Sequence, residues 1–135
     1  MKKSMLVNAV AVAAALCAFG SAHAQSDTLK KIKDSGSVTM GVRESSGALS
    51  YTLGDGKYVG FHVEVCSKVL ADVQKQLGLA KLDVKYQPVT SQNRIPLVQN
   101  GTVDIECGST TNNATRQKDV SFAVTTFVEE VRIAT

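Results

Sequence analysis

Apolar residues first gather at residues 5–19, an uncharged run that follows Lys2 and Lys3 and precedes the small-x-small triplet Ala22-His23-Ala24. That layout predicts a cleaved secretory leader over residues 1–24, since Asn8 and Gly20 leave the run short for a membrane span. Residues 25–34 predict a short helix capped by Asp27, with Leu29 and Ile32 on one face, Lys30, Lys31 and Lys33 toward solvent, and Ser35-Gly36 as its stop. Residues 37–42 place Val38, Met40 and Val42 at alternate positions, a strand that runs into the polar loop Arg43-Glu44-Ser45-Ser46. Leu53-Gly54-Asp55-Gly56-Lys57 predicts a hairpin tip between residues 50–52 and 57–59.

Phe61, Val65, Val69, Val73 and Leu77 then recur four apart, joined by Val63, Cys66 and Leu70, and predict a helix stopped by Gly78. Leu82, Val84 and Tyr86 alternate with polar residues as a second strand. Residues 90–93 offer caps to a helix that tolerates Pro96 in its first turn and ends at Asn100-Gly101. Val103, Ile105 and Cys107 predict a third strand, followed by a helical turn at 115–118 and an apolar stretch at 120–134.

The order strand, helix, strand, helix, strand predicts an α/β fold with a parallel sheet and right-handed crossovers. Such sheets hold ligands at the carboxyl ends of their strands, where residues 43–46, 90–94 and 109–116 supply three polar loops, each with an arginine. Arginine captures carboxylates bidentately and Ser or Thr hydroxyls add uncharged hydrogen bonds, so these loops suit a small dianion. The plainer reading, solvated loop residues, stays open on composition alone.

Charge narrows the field. Fifteen Lys and Arg stand against twelve Asp and Glu, and without Lys2 and Lys3 the balance is 13 − 12 = +1, which predicts no nucleic-acid partner. A mature chain of 135 − 24 = 111 residues is enough for one modest core. With Cys17 removed, Cys66 and Cys107 form an even pair, either one bridge closing a loop or two buried thiols. Catalysis finds little support: His62, the only mature histidine, lacks a partner suited to metal or nucleophilic chemistry, and Cys107-Gly108-Ser109 lacks a base. Glu44 and Glu106 are the carboxylates nearest the loops, and Glu44 is read as orienting Arg43. We therefore expect no enzyme, no metal and no cofactor.

The segment TSQNRIPL at residues 90–97, QNGTVDIECGSTTNNATRQ at 99–117 and GVRESS at 41–46 closely resemble the periplasmic glutamate/aspartate-binding proteins of ABC importers. GFHVEVC at 60–66 is similar to the signature of family 3 polar amino-acid solute-binding proteins. The likeness covers nearly all of the mature chain. It implies a type II periplasmic-binding-protein fold, a two-lobed clamp of which residues 25–135 are the incomplete N-terminal lobe. The chain would then stop near the first hinge strand, expected at residues 127–134.

The resemblance also implies a function: capture of L-glutamate or L-aspartate in the periplasm by a monomer that delivers it to an inner-membrane ABC permease. Residue by residue, Arg43, Ser91, Arg94 and Ser109 match positions that hold the ligand's side-chain carboxylate, and Thr111 and Arg116 match those that hold its α-carboxylate. Ser109 and Thr111 also approach the ammonium. The neutral amide of glutamine would leave the Arg43 and Arg94 charges uncompensated. In close relatives a cysteine of the second helix pairs with one of the third strand, which implies a Cys66–Cys107 disulfide.

Two positions depart from the pattern. Residues 46–50 stand where relatives usually carry a proline followed by an aromatic, and His62, read as a surface helix residue, replaces one more often acidic. The missing lobe would supply the acidic partner of the ammonium, so this half alone is expected to bind weakly or not at all. The same fold serves as a sensor domain in receptors and, less often, as a periplasmic dehydratase, and these are the alternatives to transport.

Overall fold

The computed structural model describes residues 24–130, in two units that divide after Ser35. The leader assigned to residues 1–24 lies outside the described residues except for Ala24. Helix α1 (Ala24–Ser35) belongs to the first unit, with Asp27 in its first turn and Lys33 in its last, the polarity its dipole favours. Of the two apolar residues expected to share a face, Ile32 is buried while Leu29 is exposed.

The second unit is built on a parallel sheet. Strand β1 (Ser37–Val42) lies between β4 (Asp83–Pro88) and β5 (Ile105–Glu106). Val38, Met40 and Val42 are buried, and they lie on the central strand, whose backbone is paired along both edges. Ser37 to Val42 pair in continuous register with Asp83 to Pro88. Between β1 and β4 run a small antiparallel hairpin, β2 (Tyr51–Gly54) and β3 (Lys57–Val59), and helix α2 (Phe61–Gln76). Asp55 and Gly56, with φ of 52° and 73°, make the two-residue turn that the Asp-Gly pair predicts. Helix α3 (Arg94–Gln99) connects β4 to β5, keeps Pro96 in its first turn and ends with Gly101 at φ 73°.

Three expectations change in detail. The four-apart stripe of α2 is not its packed face: Phe61 and Val69 are exposed, whereas Val63 and Leu70 are buried. A line of i, i+4 residues drifts by roughly 40° per step around a helix of 3.6 residues per turn, so five such positions wrap far round the cylinder. The third strand is shorter than expected, because the Asp104 carboxylate accepts the Thr39 N–H at 2.8 Å, a donor that a longer ladder would use. Val103 and Cys107, on either side of β5, are nonetheless buried. Finally, no strand forms in residues 121–130: the part of the expected hinge strand that is described, residues 127–130, has no partner segment to ladder with, and Val124 and Val128 are more than four-fifths exposed. Residues 131–134 of that strand lie outside the described residues.

Two tight points fix the frame around the sheet. Cys66 of α2 and Cys107, just after β5, are joined by a disulfide, with Cα atoms 6.3 Å apart and a sequence separation of 41. Gly60, at the N-cap of α2, has φ 128°, and a Cβ there would fall 2.6 Å from the Leu49 carbonyl oxygen. Gly60→Ala is therefore expected to destabilise the domain by about 2 kcal/mol or more, read as a lower urea midpoint.

Candidate functional site

The chain leaves β1 toward β4 on one side and returns to β5 on the other, so β1 marks the point where the strand order reverses. The crevice at the carboxyl ends of strands around such a point is the usual ligand position in an open α/β sheet. The three arginine-bearing loops meet there, because all three strands are parallel.

Arg43 follows β1 directly and its side chain is fixed at both ends. Its Nε donates to Ser46 Oγ at 3.0 Å and its Nη1 to the Val89 carbonyl at 2.9 Å, which ties the end of β1 to the end of β4. The buried Ser50 hydroxyl accepts the Arg43 N–H at 2.9 Å and donates to the Arg43 carbonyl at 3.2 Å. Glu44, expected to orient Arg43, does not do so; Ser46, Ser50 and a main-chain carbonyl take that part. Ser46 Oγ also shares a hydrogen bond of 2.9 Å with Ser109 Oγ, so Arg43 and Ser109 belong to one chain of contacts. At Gly108, before Ser109, an added Cβ would lie 2.5 Å from Arg43 Cγ and also strike Glu106 Oε1, so a larger residue would displace both side chains.

Arg94 opens α3 and is 6% exposed, yet its Nε and Nη1 have no hydrogen-bond partner. Burial lowers its hold on its proton, opposed by the attraction of Glu106 and reinforced by the repulsion of Arg116 and Arg43. A buried guanidinium with free donors is costly unless an anion meets it. Arg116, half-buried in the 3-10 turn Arg116–Lys118, donates from Nη1 to the Thr111 carbonyl at 2.9 Å, and Asn113 Oδ1 accepts its main-chain N–H. Thr111 and Ser91 are exposed, Ser91 in the turn ahead of α3. The structure joins Arg43 to Ser109 through Ser46 and Arg116 to Thr111, places Arg94 near enough to both Arg116 and Arg43 to be repelled by each, and leaves Ser91 outside the hydrogen-bonded chain.

Two residues have larger parts than the sequence suggested. Glu106, the last residue of β5, is half-buried, and burial pushes its carboxyl above the usual carboxylate range against the pull of the nearby Thr110 hydroxyl and of Arg94, Arg43 and His62. Its Oε1 and Thr110 Oγ1 lack a partner of good hydrogen-bond geometry. His62, expected on the surface, is half-buried: its Nδ1 meets the Gly108 carbonyl and its Nε2 meets Thr126 Oγ1 at 2.8 Å. Its position in the first turn of α2, facing the Gly108 loop, was not legible from helix periodicity alone.

A cleft of about 410 Å³ lies against this group, lined by His62, Glu106, Ser109, Thr110 and Thr111 and by residues 122–129. A smaller one of about 180 Å³ reaches Arg94, Glu106 and Thr110 from the side of Val120 and Phe122. Arg94 and Arg43 both attract the half-buried Glu106 carboxyl, and their guanidinium groups are directional donors of the kind that suit an anion.

The chain is 51% identical over 130 residues to an L-glutamate/L-aspartate-binding protein of Pseudomonas aeruginosa, covering 95% of this chain and 43% of that protein. It is 44% identical to a glutamate/aspartate import solute-binding protein of Escherichia coli, over 99% of this chain and 45% of that one. It thus spans less than half the length of these relatives. Among solved structures, the solute receptor for L-cysteine of Neisseria gonorrhoeae superposes with a TM-score of 0.60 at 26% identity, over 70% of this chain and 37% of that one. These neighbours share the α/β architecture with its parallel sheet and flanking helices. Residues 38–135 match the bacterial extracellular solute-binding proteins, family 3, and the chain belongs to that family.

Proposed function

We propose that the protein captures L-glutamate and L-aspartate in the periplasm, after export through the leader at residues 1–24, and hands them unchanged to an inner-membrane ABC permease. In this reading residues 25–135 form the N-terminal lobe of a monomeric clamp, and a second lobe closes over the crevice. Arg43, Ser91, Arg94 and Ser109 receive the side-chain carboxylate, while Thr111 and Arg116 receive the α-carboxylate. The observation that carries the proposal is Arg94, buried at the switch point with two unpaired donors and with Arg43 and Arg116 near enough to repel it. Such a group gains most from a ligand carboxylate in a site that excludes water.

The test is a calorimetric titration of the complete exported protein with L-glutamate, L-aspartate and L-glutamine. Both acidic ligands are expected to bind, with glutamine about 100-fold weaker or worse, because its amide leaves a buried cation unmatched. Equal affinity for glutamine would overturn the assignment.

A further inference from the structure

Glu106 stands apart in a site otherwise made of cations and hydroxyls. It lines both clefts, so it separates the one that reaches Arg94 from the one that reaches Ser109 and Thr111. The groups that face it come from every element around it: Arg43 from the end of β1, Arg94 from the start of α3, His62 from the first turn of α2, and Thr110 from its own loop. Gly108 brings Arg43 and Glu106 close together, since a Cβ there would strike both side chains. No described group satisfies Glu106 Oε1 or the two free nitrogens of Arg94.

A ligand carboxylate that docks on Arg43 and Arg94 must share these cations with Glu106. Two carboxylates competing for the same positive charges raise each other's proton affinity, and the buried one has less water to resist the change. We propose that Glu106 is the internal counter-anion of the arginine pair in the free site and takes up a proton from solvent when an acidic amino acid binds. The Glu106 carboxylate becomes a carboxylic acid, and the ligand carboxylate takes its place opposite Arg43 and Arg94. The inference rests on the acidic-ligand reading above, which it deepens by making affinity depend on pH through one named residue.

The direction follows from the carboxyl's raised starting point. Below the free-site pKa, Glu106 is already protonated and affinity is flat. Above it, each binding event must draw a proton, so affinity falls as pH rises, until the pKa of the bound state is passed. Glu106→Gln keeps the shape of the side chain and removes the charge. The variant should bind L-glutamate about tenfold more tightly than the natural protein at about pH 8, since one pKa unit of coupling is a factor of ten. It should also lose the pH dependence.

The complete exported protein is titrated with L-glutamate in two buffers of different ionisation enthalpy, and the difference in heat counts the protons exchanged. Uptake of a fraction of a proton in the natural protein that vanishes in E106Q supports the proposal. Binding with no proton uptake in the natural protein overturns it without touching the ligand assignment, and needs no variant. Uptake that persists in E106Q would assign the proton to another group, and weaker binding by E106Q at every pH would make Glu106 an orienting or ammonium-binding residue; either overturns it. Absence of any binding heat would overturn the ligand assignment and the proposal together.

Discussion

Replacing Arg94 by alanine is expected to weaken binding of L-glutamate and L-aspartate by about 30-fold or more, measured by calorimetry on the complete protein. The magnitude follows from the cost of deleting one partner of a desolvated charge pair, about 2–5 kcal/mol, at 1.4 kcal/mol per factor of ten. Stability should change less than affinity. The loss of Arg94 removes an attraction that holds the Glu106 carboxyl down, so Glu106 protonates more readily and no bare carboxylate is left buried. A thermal melt of the unliganded variant separates the two effects. Arg94→Lys should rescue little, because an ammonium lacks the planar fork that grips both oxygens of a carboxylate. An alanine variant that binds both acids as the natural protein does would remove Arg94 from the site.

The second large effect concerns the disulfide. Replacing Cys66 and Cys107 together by alanine should lower the free energy of unfolding by about 4 kcal/mol, the chain-entropy value for closing a loop of 41 residues. Urea titrations of the natural and double-mutant proteins test this, and reductant should move the natural protein toward the mutant's midpoint while leaving the mutant unchanged. Cys107 is followed by Gly108, Ser109, Thr110 and Thr111, so the bridge anchors the base of the loop that faces the cleft. Its loss should therefore weaken the binding of acidic ligands as well as the fold.

The fold was legible where local chemistry and burial agree. Val38, Met40 and Val42 alternate, and their strand appears at the expected residues because it is central and every alternate side chain is enclosed. The Asp55-Gly56 turn and the Asn100-Gly101 stop were legible because few residues tolerate positive φ. What the pattern could not give was which of several apolar residues on α2 faces inward. Phe61 and Val69 match Val63 and Leu70 in hydrophobicity, and only the docking of the helix distinguishes them. The expected hinge strand failed over residues 127–130 for a related reason: an apolar β-branched residue such as Val128 favours a strand, but a strand exists only with a neighbour.

The site was legible in its charges and less so in its connections. Arg43, Arg94 and Arg116 stood out as the arginines of three polar loops, and parallel topology gathers those loops at one end of the sheet. The role of Ser46 as the link between Arg43 and Ser109 depends on two loops 63 residues apart, a relation that no spacing within either loop encodes. Glu106 was visible as a nearby carboxylate, but its burial among three facing cationic or basic groups is a property of the assembled crevice. Likewise His62 reads as an exposed helical position until the Gly108 carbonyl is brought against it.

The placing of β1 between two later strands also sets the tempo of folding. The first strand to be synthesised waits for residues 83–88 before one edge is paired and for residues 105–106 before the other is. The Thr39 to Asp104 contact spans 65 residues, and closures of that length slow the search for the native state relative to helices and hairpins. The arginine crevice sits on the ends of those same strands, so it comes into being only as the sheet does. A ligand that grips Arg43 and Arg94 at once bridges the last contacts to form, and should act on unfolding rates more than on folding rates.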